Sequence, residues 1–275
     1  SPSSEKFEHL CLRGGMILLD LIIRNGMVID GTGSPKFKAD IGVKGDSVIA
    51  IGEVSGTAIR EIDANGAVVT PGFIDLHTHS DNSFLIDPLA DSKLTQGVTF
   101  ELMGNCGMSF CAPLNSQTID DFNTRTNKFD PDYKPGWSTM DGYLSALENA
   151  GSTINIAAQV GHGTVRRSVM GMDPCMPTPE QLDHMKSLIA ESLDAGALGM
   201  STGLWYPPGS YSLTDEVIAV TQPAADRGKL YSSHIRSEAD DLSGLFPAHA
   251  EAIEVGRRTG ARIQISHVKT VGPQF

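Results

Sequence analysis

The chain has no run of about 18 or more consecutive apolar residues, so no transmembrane helix is expected within its 275 residues. The apolar stretch 16–23 is interrupted by Asp20. Residues 1–15 lack the basic start and small-residue cleavage site of a secretory signal. Residues 1–16 are expected to form a mobile N-terminal tail. Cysteine is sparse: Cys11, Cys106, Cys111 and Cys175 match neither a zinc-finger spacing nor a dense disulfide framework. A reducing, cytoplasmic setting is therefore expected. Positive charge is also short, with 21 basic against 33 acidic residues and a formal net charge of -12. Neither nucleic acid nor an anionic membrane attracts such a chain, so neither is expected as a partner. Acidity by itself says nothing about a substrate.

The composition that remains is 40% hydrophobic and 20% charged, which is ample for a sizeable core. The 29 glycines and 15 prolines suit many tight strand–loop junctions. Residues 17–68 read as short strands at close spacing with no helical stretch between them. Asn25-Gly26 and residues 30–35 read as turns, and Gly45-Asp46 joins a hairpin of 40–44 and 47–52. A small N-terminal β-sandwich-like domain is expected there.

The rhythm changes over 69–275. Strand candidates at 68–76, 98–103, 154–160, 197–201, 229–234 and 262–267 alternate with helical patterns. The clearest helix starts at Thr178, an N-cap followed by Pro179, and runs to about 195. Another spans 242–259 and ends at Gly260. Strand–helix alternation implies an α/β fold with a parallel sheet. Polar residues at the ends of separate strands fit a (β/α)8 TIM-type barrel better than a single switch-point site. Six strands are counted, and an eight-stranded barrel needs two more. An open barrel would bare two edges. The missing strands are expected from the rest of a longer polypeptide or from another chain.

Chemistry concentrates at the strand ends. His77 and His79 are two residues apart after the strand that starts near Val68, so they share one face. Two imidazoles on one face form half of a metal site. Cys106 lies in a glycine-flanked loop just after the second strand, and His234 and His267 terminate the fifth and sixth. Zinc accepts this mixture of thiolate and imidazole, whereas a soft thiolate disfavours magnesium and calcium.

These residues carry a family resemblance. Gly72-Phe73-Ile74-Asp75-Leu76-His77-Thr78-His79, after a small β unit, resembles the metal-dependent amidohydrolase superfamily. Gly104-Asn105-Cys106-Gly107, the 161–166 and 203–209 segments, Ser233-His234-Ile235-Arg236-Ser237-Glu238 and Ser266-His267-Val268-Lys269 resemble the D-aminoacylases, the N-acyl-D-amino-acid deacylases. The resemblance implies one tightly bound zinc on Cys106, His234 and His267, and a second, weaker metal position at His77 and His79. No lysine lies on the 154–160 or 197–201 strands to bridge two metals as a carboxylated lysine, which disfavours hydantoinase and dihydroorotase.

The resemblance also implies hydrolysis of the acyl amide of an N-acyl-D-amino acid, a small-molecule substrate. Metal polarises the carbonyl and lowers the pKa of bound water. A carboxylate then moves the water's proton to the leaving amine. That carboxylate is expected to be an aspartate of the eighth strand, beyond Phe275. Lys269 is expected to meet the substrate carboxylate and Tyr206 to line its pocket. Asp75 is read as a buried residue supporting the centre and Asp81 as a solvated loop acid. Arg236 and Glu238 read as a supporting pair or as a solvated one. His162 has no assigned role, and His9, His184 and His249 read as surface residues. The alternatives are another amidohydrolase of small amides or dipeptides, and a metal-binding homologue without catalysis.

Overall fold

The computed structural model describes residues 18–239 and 244–271. The expected tail, with His9 and Cys11, and the first residues of the expected 242–259 helix lie outside them. The described residues form two compact units, divided between Gly72 and Phe73.

The first unit is one mixed sheet around β1 (Leu19–Val28). β2 (Phe37–Lys44) lies antiparallel on one edge of β1, and β3 (Ser47–Gly52) continues the sheet beyond it. β4 (Ala58–Asp63) and β5 (Val68–Val69) both run parallel to β1, along different parts of its length. Val69 pairs with Val28, so this sheet reaches past residue 68.

The expected turn at Asn25-Gly26 is instead a register irregularity within β1, with Asn25 at φ +56°. Asparagine tolerates the left-handed conformation, so the same dipeptide that turns a hairpin here makes a bulge. Arg24, just before it, donates to Asp40, Glu61 and the carbonyls of Val54 and Gly56, tying β2 and β4 to the central strand. The expected sandwich has no second layer among the described residues. The returning segments pair beside β1 instead of folding over it, and Val48, Ile51 and Ile59 are exposed.

The second unit is a six-stranded parallel sheet. Its strands are β6 (Phe73–Asp75), β7 (Val98–Met103), β8 (Asn155–Gly161), β9 (Gly199–Gly203), β10 (Leu230–His234) and β11 (Arg262–Ile265). They neighbour one another in chain order, and all the pairings are parallel. Unbroken order without a reversal is the arrangement of a β/α barrel wall and not of a doubly wound sheet.

The connecting helices are α1 (Ser83–Ile86), α2 (Asp91–Leu94), α3 (Ile119–Thr126), α4 (Met140–Ala150), α5 (His162–Met170), α6 (Pro179–Asp194), α7 (Thr214–Asp226) and α8 (Leu245–Thr259). α6 starts where its sequence says it should. Thr178 Oγ1 accepts from Gln181 N, and Gln181 Oε1 accepts from Thr178 N. That reciprocal pair satisfies two amides with no partner within the helix. α8 stops at Gly260, which takes the left-handed φ of +76°. The core joins Val160, Met200 and Tyr231 of the strands to Met185, Ile189 and Val217 of the helices, all fully buried.

The strand expected over 68–76 is broken in two. Val68–Val69 belongs to the first sheet, Pro71 carries no amide hydrogen for a ladder, and β6 keeps only three residues. β6 is also an edge strand, so Phe73 and Ile74 are exposed where burial was expected. His77 and His79 therefore sit in the segment after the strand. Thr78 N donates to Leu102 O there and keeps the segment against β7. No helix among the described residues is long and apolar enough to cross a membrane.

Candidate metal centre

The loop after β7 is gripped from three neighbouring strands. Asn105 Nδ2 donates to Leu102 O at 2.8 Å, and its Oδ1 accepts from Gln159 Nε2 at 3.1 Å. Gln159 Oε1 in turn accepts from Ser232 Oγ at 2.8 Å. Ser201 Oγ donates to Gly104 O and accepts from Gly107 N, so one hydroxyl holds both sides of Cys106. All of these side chains are buried. Such a polar network is stable only when every member is paired, and it then fixes one geometry.

Two glycines let the loop lie so close. A Cβ at Gly104 would overlap the Gln159 carbonyl, and one at Gly203 would overlap the Cys106 carbonyl. Gly203→Ala is therefore expected to cost about 1–3 kcal/mol and to weaken metal binding by pushing the Cys106 loop away. Thermal unfolding and metal titration of the variant check this, and an unchanged midpoint would contradict it.

Cys106 and His267 have φ of +56° and +30°. They are two of the five non-glycine residues with positive φ among those described. Backbone in this region is held against its own preference and tends to mark functional positions. Cys106 Sγ lies 3.3 Å from His77 Nε2, 3.5 Å from His234 Nδ1 and 3.6 Å from His267 Nε2. His77, His79 and Cys106 form one donor group and Cys106, His234 and His267 a second, each with donor atoms within 4.8 Å of one another. Cys106 is common to both.

Zinc fits these donors. Zn–S bonds of about 2.3 Å and Zn–N bonds of about 2.0–2.1 Å at a tetrahedral angle set sulfur-to-nitrogen edges of about 3.5 Å. The three sulfur-to-nitrogen separations match that edge. Protonation is equally suitable. Burial, then the charges of His267 and His79, lowers the His77 pKa to about 4, with Asp75 acting in the opposite direction. Burial, then His267 and Lys269, lowers that of His234 to about 3. Both rings are neutral near pH 7 and offer lone pairs. Burial pushes the Cys106 thiol up to about 11, against the hydrogen bond of Tyr206 and the charge of Lys269. Metal binding there displaces the thiol proton.

One buried carboxylate stands on the far side of two of the rings. Glu238 Oε1 is 2.8 Å from His267 Nδ1 and 3.9 Å from His234 Nε2, the nitrogens turned away from Cys106. Lys269 Nζ bonds to Glu238 Oε2. Lys269, expected to await a substrate carboxylate, is thus engaged by a carboxylate of the chain itself. Tyr206, after β9, puts its hydroxyl 2.8 Å from His234 Nδ1. Burial, then the neighbouring Cys106, pushes its phenol up to about 12, so it keeps its proton.

Other expectations are not met. Asp81 is fully buried instead of solvated, with its carbonyl accepting from the Tyr143 hydroxyl at 2.9 Å. Burial pushes its acid up to about 7 against the pull of the Gly104 amide and Arg125. Asp75 is part-exposed at the edge and pairs with Lys93 at 3.0 Å. Arg236 and Glu238 do not pair. Arg236 binds Glu251 and the carbonyls of Ser210 and Ser212. His162 is buried against Glu216, 3.1 Å from Nε2, which also accepts from Arg166 and Ser212. Burial raises the pKa of Glu216, but these three partners outweigh it and hold the carboxyl below its usual range. This cluster ties α5 to α7. His184 is exposed, and His249 Nδ1 meets Leu245 O within α8.

A cavity of about 410 Å³ opens beside Cys106 and Tyr206 and reaches Phe110, Arg125, Lys128 and Arg167.

Comparison with known proteins adds relatives to this geometry. The model of the amidohydrolase family matches residues 60–268. An N-acyl-D-glutamate deacylase of Alcaligenes xylosoxydans xylosoxydans is 40% identical over 257 residues, covering 93% of this chain and 51% of its own length. A crystal structure of N-acyl-D-glutamate deacylase from Bordetella bronchiseptica, complexed with zinc and a phosphonate mimic of the tetrahedral intermediate, is 38% identical with a TM-score of 0.82. It is matched over 94% of this chain and 53% of its own. A D-aminoacylase with a binuclear metal centre gives a TM-score of 0.84 at 37% identity, over 93% of this chain and 52% of its own. The chain spans about half the length of the curated relatives it matches.

Proposed function

The chain belongs to the amidohydrolase family, and from that premise we propose that the whole protein hydrolyses the acyl amide of N-acyl-D-amino acids to a carboxylate and a free D-amino acid. The observation that carries this reading is the Cys106 thiol among His77, His234 and His267, which come from three separate strand ends. The relatives' activities, an N-acyl-D-glutamate deacylase, a D-aminoacylase and an N-acyl-D-aspartate deacylase, support the reaction class and its stereochemistry.

Cys106, His234 and His267 are assigned to a tightly held zinc, and His77 and His79 to a second, weaker position. The burial of Cys106 and His234 and the exposure of His79 support that ranking. Zinc bound there supplies a Lewis acid for the amide carbonyl and a water of lowered pKa. The chain's own groups bind and orient. Tyr206 keeps its proton near neutral pH and donates a hydrogen bond to a substrate oxygen. Lys269 exchanges Glu238 for the substrate's α-carboxylate, a charge-assisted contact. Neither Asp81, which is fully buried, nor Asp75, held by Lys93, suits the general base. That role is assigned to an aspartate outside residues 1–275.

The remainder of the same polypeptide would close the six strands into a (β/α)8 barrel and add a second layer to the N-terminal sheet, completing the two units that divide between Gly72 and Phe73. Single relatives about twice as long support this over strands lent by another chain. A reducing cytoplasm suits a centre that depends on a free thiol.

The test is release of free amino acid from paired N-acetyl-D- and N-acetyl-L-amino acids by the full-length, zinc-supplied protein. Release from the D form alone supports the reading. No release from either, in protein shown to hold zinc, sinks it. Lys269→Ala is expected to raise KM for carboxylate-bearing substrates by roughly 10-fold and to affect neutral amides less. An equal effect on both would reject the carboxylate role.

A further inference from the structure

Tyr206 is placed by more than its own strand. It leaves β9 on a short loop that ends in a single 3-10 turn, Gly209–Tyr211. Leu204 N, at the start of the loop, donates to His234 O at 3.0 Å. Ser210 N, in the turn, donates to Tyr206 O at 2.8 Å. A Cβ at Gly209 would overlap the Gly203 carbonyl, so the turn packs directly on the end of β9.

Arg236 grips that turn from the strand end that carries His234. Its Nε and Nη2 donate to the two oxygens of Glu251 at 2.9 and 2.8 Å, in a pair that is mostly buried. Nη1 reaches Ser210 O at 3.2 Å, and Nη2 also reaches Ser212 O at 2.9 Å. Thr214 Oγ1 donates to the same carboxylate at 2.8 Å. A planar fork paired bidentately has one orientation, and here that orientation aims its outer donors at the two carbonyls. Ser212 Oγ, on the other side, donates to Glu216 of α7 at 2.9 Å. Glu216 therefore ties the turn to a helix, and Arg236 ties it to the end of β10.

These contacts close a circuit. Arg236 follows His234 by two residues and holds Ser210, Ser210 holds Tyr206, and the Tyr206 hydroxyl returns to His234 Nδ1 at 2.8 Å. A donor carried on a loop is useful only while it stays in place, and a misplacement of about 1 Å costs about 100-fold in rate.

We propose that Arg236 is a positioning residue, which sets the Tyr206 hydroxyl beside the metal donors through Ser210 and Ser212. It does so without touching substrate. The inference rests on the assignment of Tyr206 to a substrate oxygen.

The experiment uses full-length protein and two readouts. The first compares zinc-loaded Arg236→Gln, Tyr206→Phe and the double variant on N-acetyl-D-amino acids. Each single variant is expected to lower kcat by about 10- to 100-fold and to change KM by less than about 3-fold. The double variant is expected to fall no more than about 3-fold below Tyr206→Phe, because both changes remove one function. Arg236→Lys keeps the charge opposite Glu251 without the fork, and should recover only part of the rate. Arg236→Gln combined with Glu251→Gln leaves no unpaired carboxylate. It is expected to regain thermal stability over Arg236→Gln while staying as slow.

The second readout needs no turnover. Trp205 precedes Tyr206, and its ring centroid lies 6.1 Å from that of His234. In protein labelled with 5-fluorotryptophan, the fluorine resonance absent from Trp205→Phe belongs to it. One equivalent of cobalt in place of zinc should shift that resonance strongly in the wild-type protein, and Arg236→Gln should lose most of the shift. Rate losses that multiply in full in the double variant, or a wild-type shift retained in Arg236→Gln, would overturn the role. If the wild-type protein cleaves no D substrate, the deacylase reading fails and the fluorine shift alone decides the role of Arg236.

Discussion

Replacing Cys106 with alanine is expected to lower zinc affinity at least about 100-fold and to remove deacylation with it. A closed zinc site contributes about 10–16 kcal/mol of apparent binding energy. One of four donors then carries roughly 3 kcal/mol, and each 1.4 kcal/mol is tenfold in affinity. The loss here should be at the upper end, because Cys106 belongs to both donor groups and its removal leaves two imidazoles in each. Alanine does not relieve the backbone, which stays at φ +56°. Cys106→Gly should lose zinc equally, yet leave the metal-free chain about 1 kcal/mol more stable than the alanine variant, since glycine accepts that region without cost. Chelator competition and thermal unfolding of metal-free protein read the two effects separately. Retained stoichiometric zinc in the alanine variant would remove Cys106 from the donor set.

Glu238→Gln is expected to weaken zinc binding by about 10- to 100-fold although Glu238 does not itself face the metal position. Its Oε1 lies 2.8 Å from His267 Nδ1 and 3.9 Å from His234 Nε2, on the side of both rings away from Cys106. Glu238 Oε1 and His267 Nδ1 are both buried without a hydrogen-bond partner here, and a hydrogen bond between them would set the tautomer that leaves His267 Nε2 free for metal and make the ring a stronger donor. Glutamine keeps the shape and loses the charge. It also leaves Lys269 without its anion. Lys269→Met in the same background separates the two roles. If zinc affinity recovers in the double variant, the loss came from an unpaired lysine. If it stays low, Glu238 acts through the imidazoles. Unchanged zinc affinity in Glu238→Gln itself would contradict the role.

The signals that were legible are local ones. Thr178-Pro179 with Gln181 starts α6 because capping needs only four adjacent residues. Gly260 ends α8 for the same reason. The parallel strands could be read because each apolar run ends in residues that suit a βα loop. Cys106, His234 and His267 stood out as metal-type residues at strand ends, and the structure brings them within 3.6 Å of one sulfur.

What could not be read depends on contacts far apart in sequence. The sheet around β1 is set by Arg24 reaching Asp40 and Glu61, and no local pattern separates that arrangement from two layers. Pro71 divides an apolar run between two sheets, which hydrophobicity alone cannot reveal. Asp81 looks like a loop acid because the residues that bury it come from elsewhere in the chain, Tyr143 among them. Glu238 lies two residues from Arg236, but their partners, His267 and Glu251, pull them apart. Gln159 and Ser201 did carry a signal, as polar residues inside apolar strands, one step below the loop that they hold.

The most direct test of the metal centre is the zinc K-edge X-ray absorption spectrum of full-length protein loaded with one equivalent of zinc. One sulfur at about 2.3 Å together with nitrogen or oxygen donors at about 2.0–2.1 Å, and loss of the sulfur shell in Cys106→Ala, is the expected result. A first shell of nitrogen and oxygen alone in the wild-type protein would contradict a centre built on Cys106.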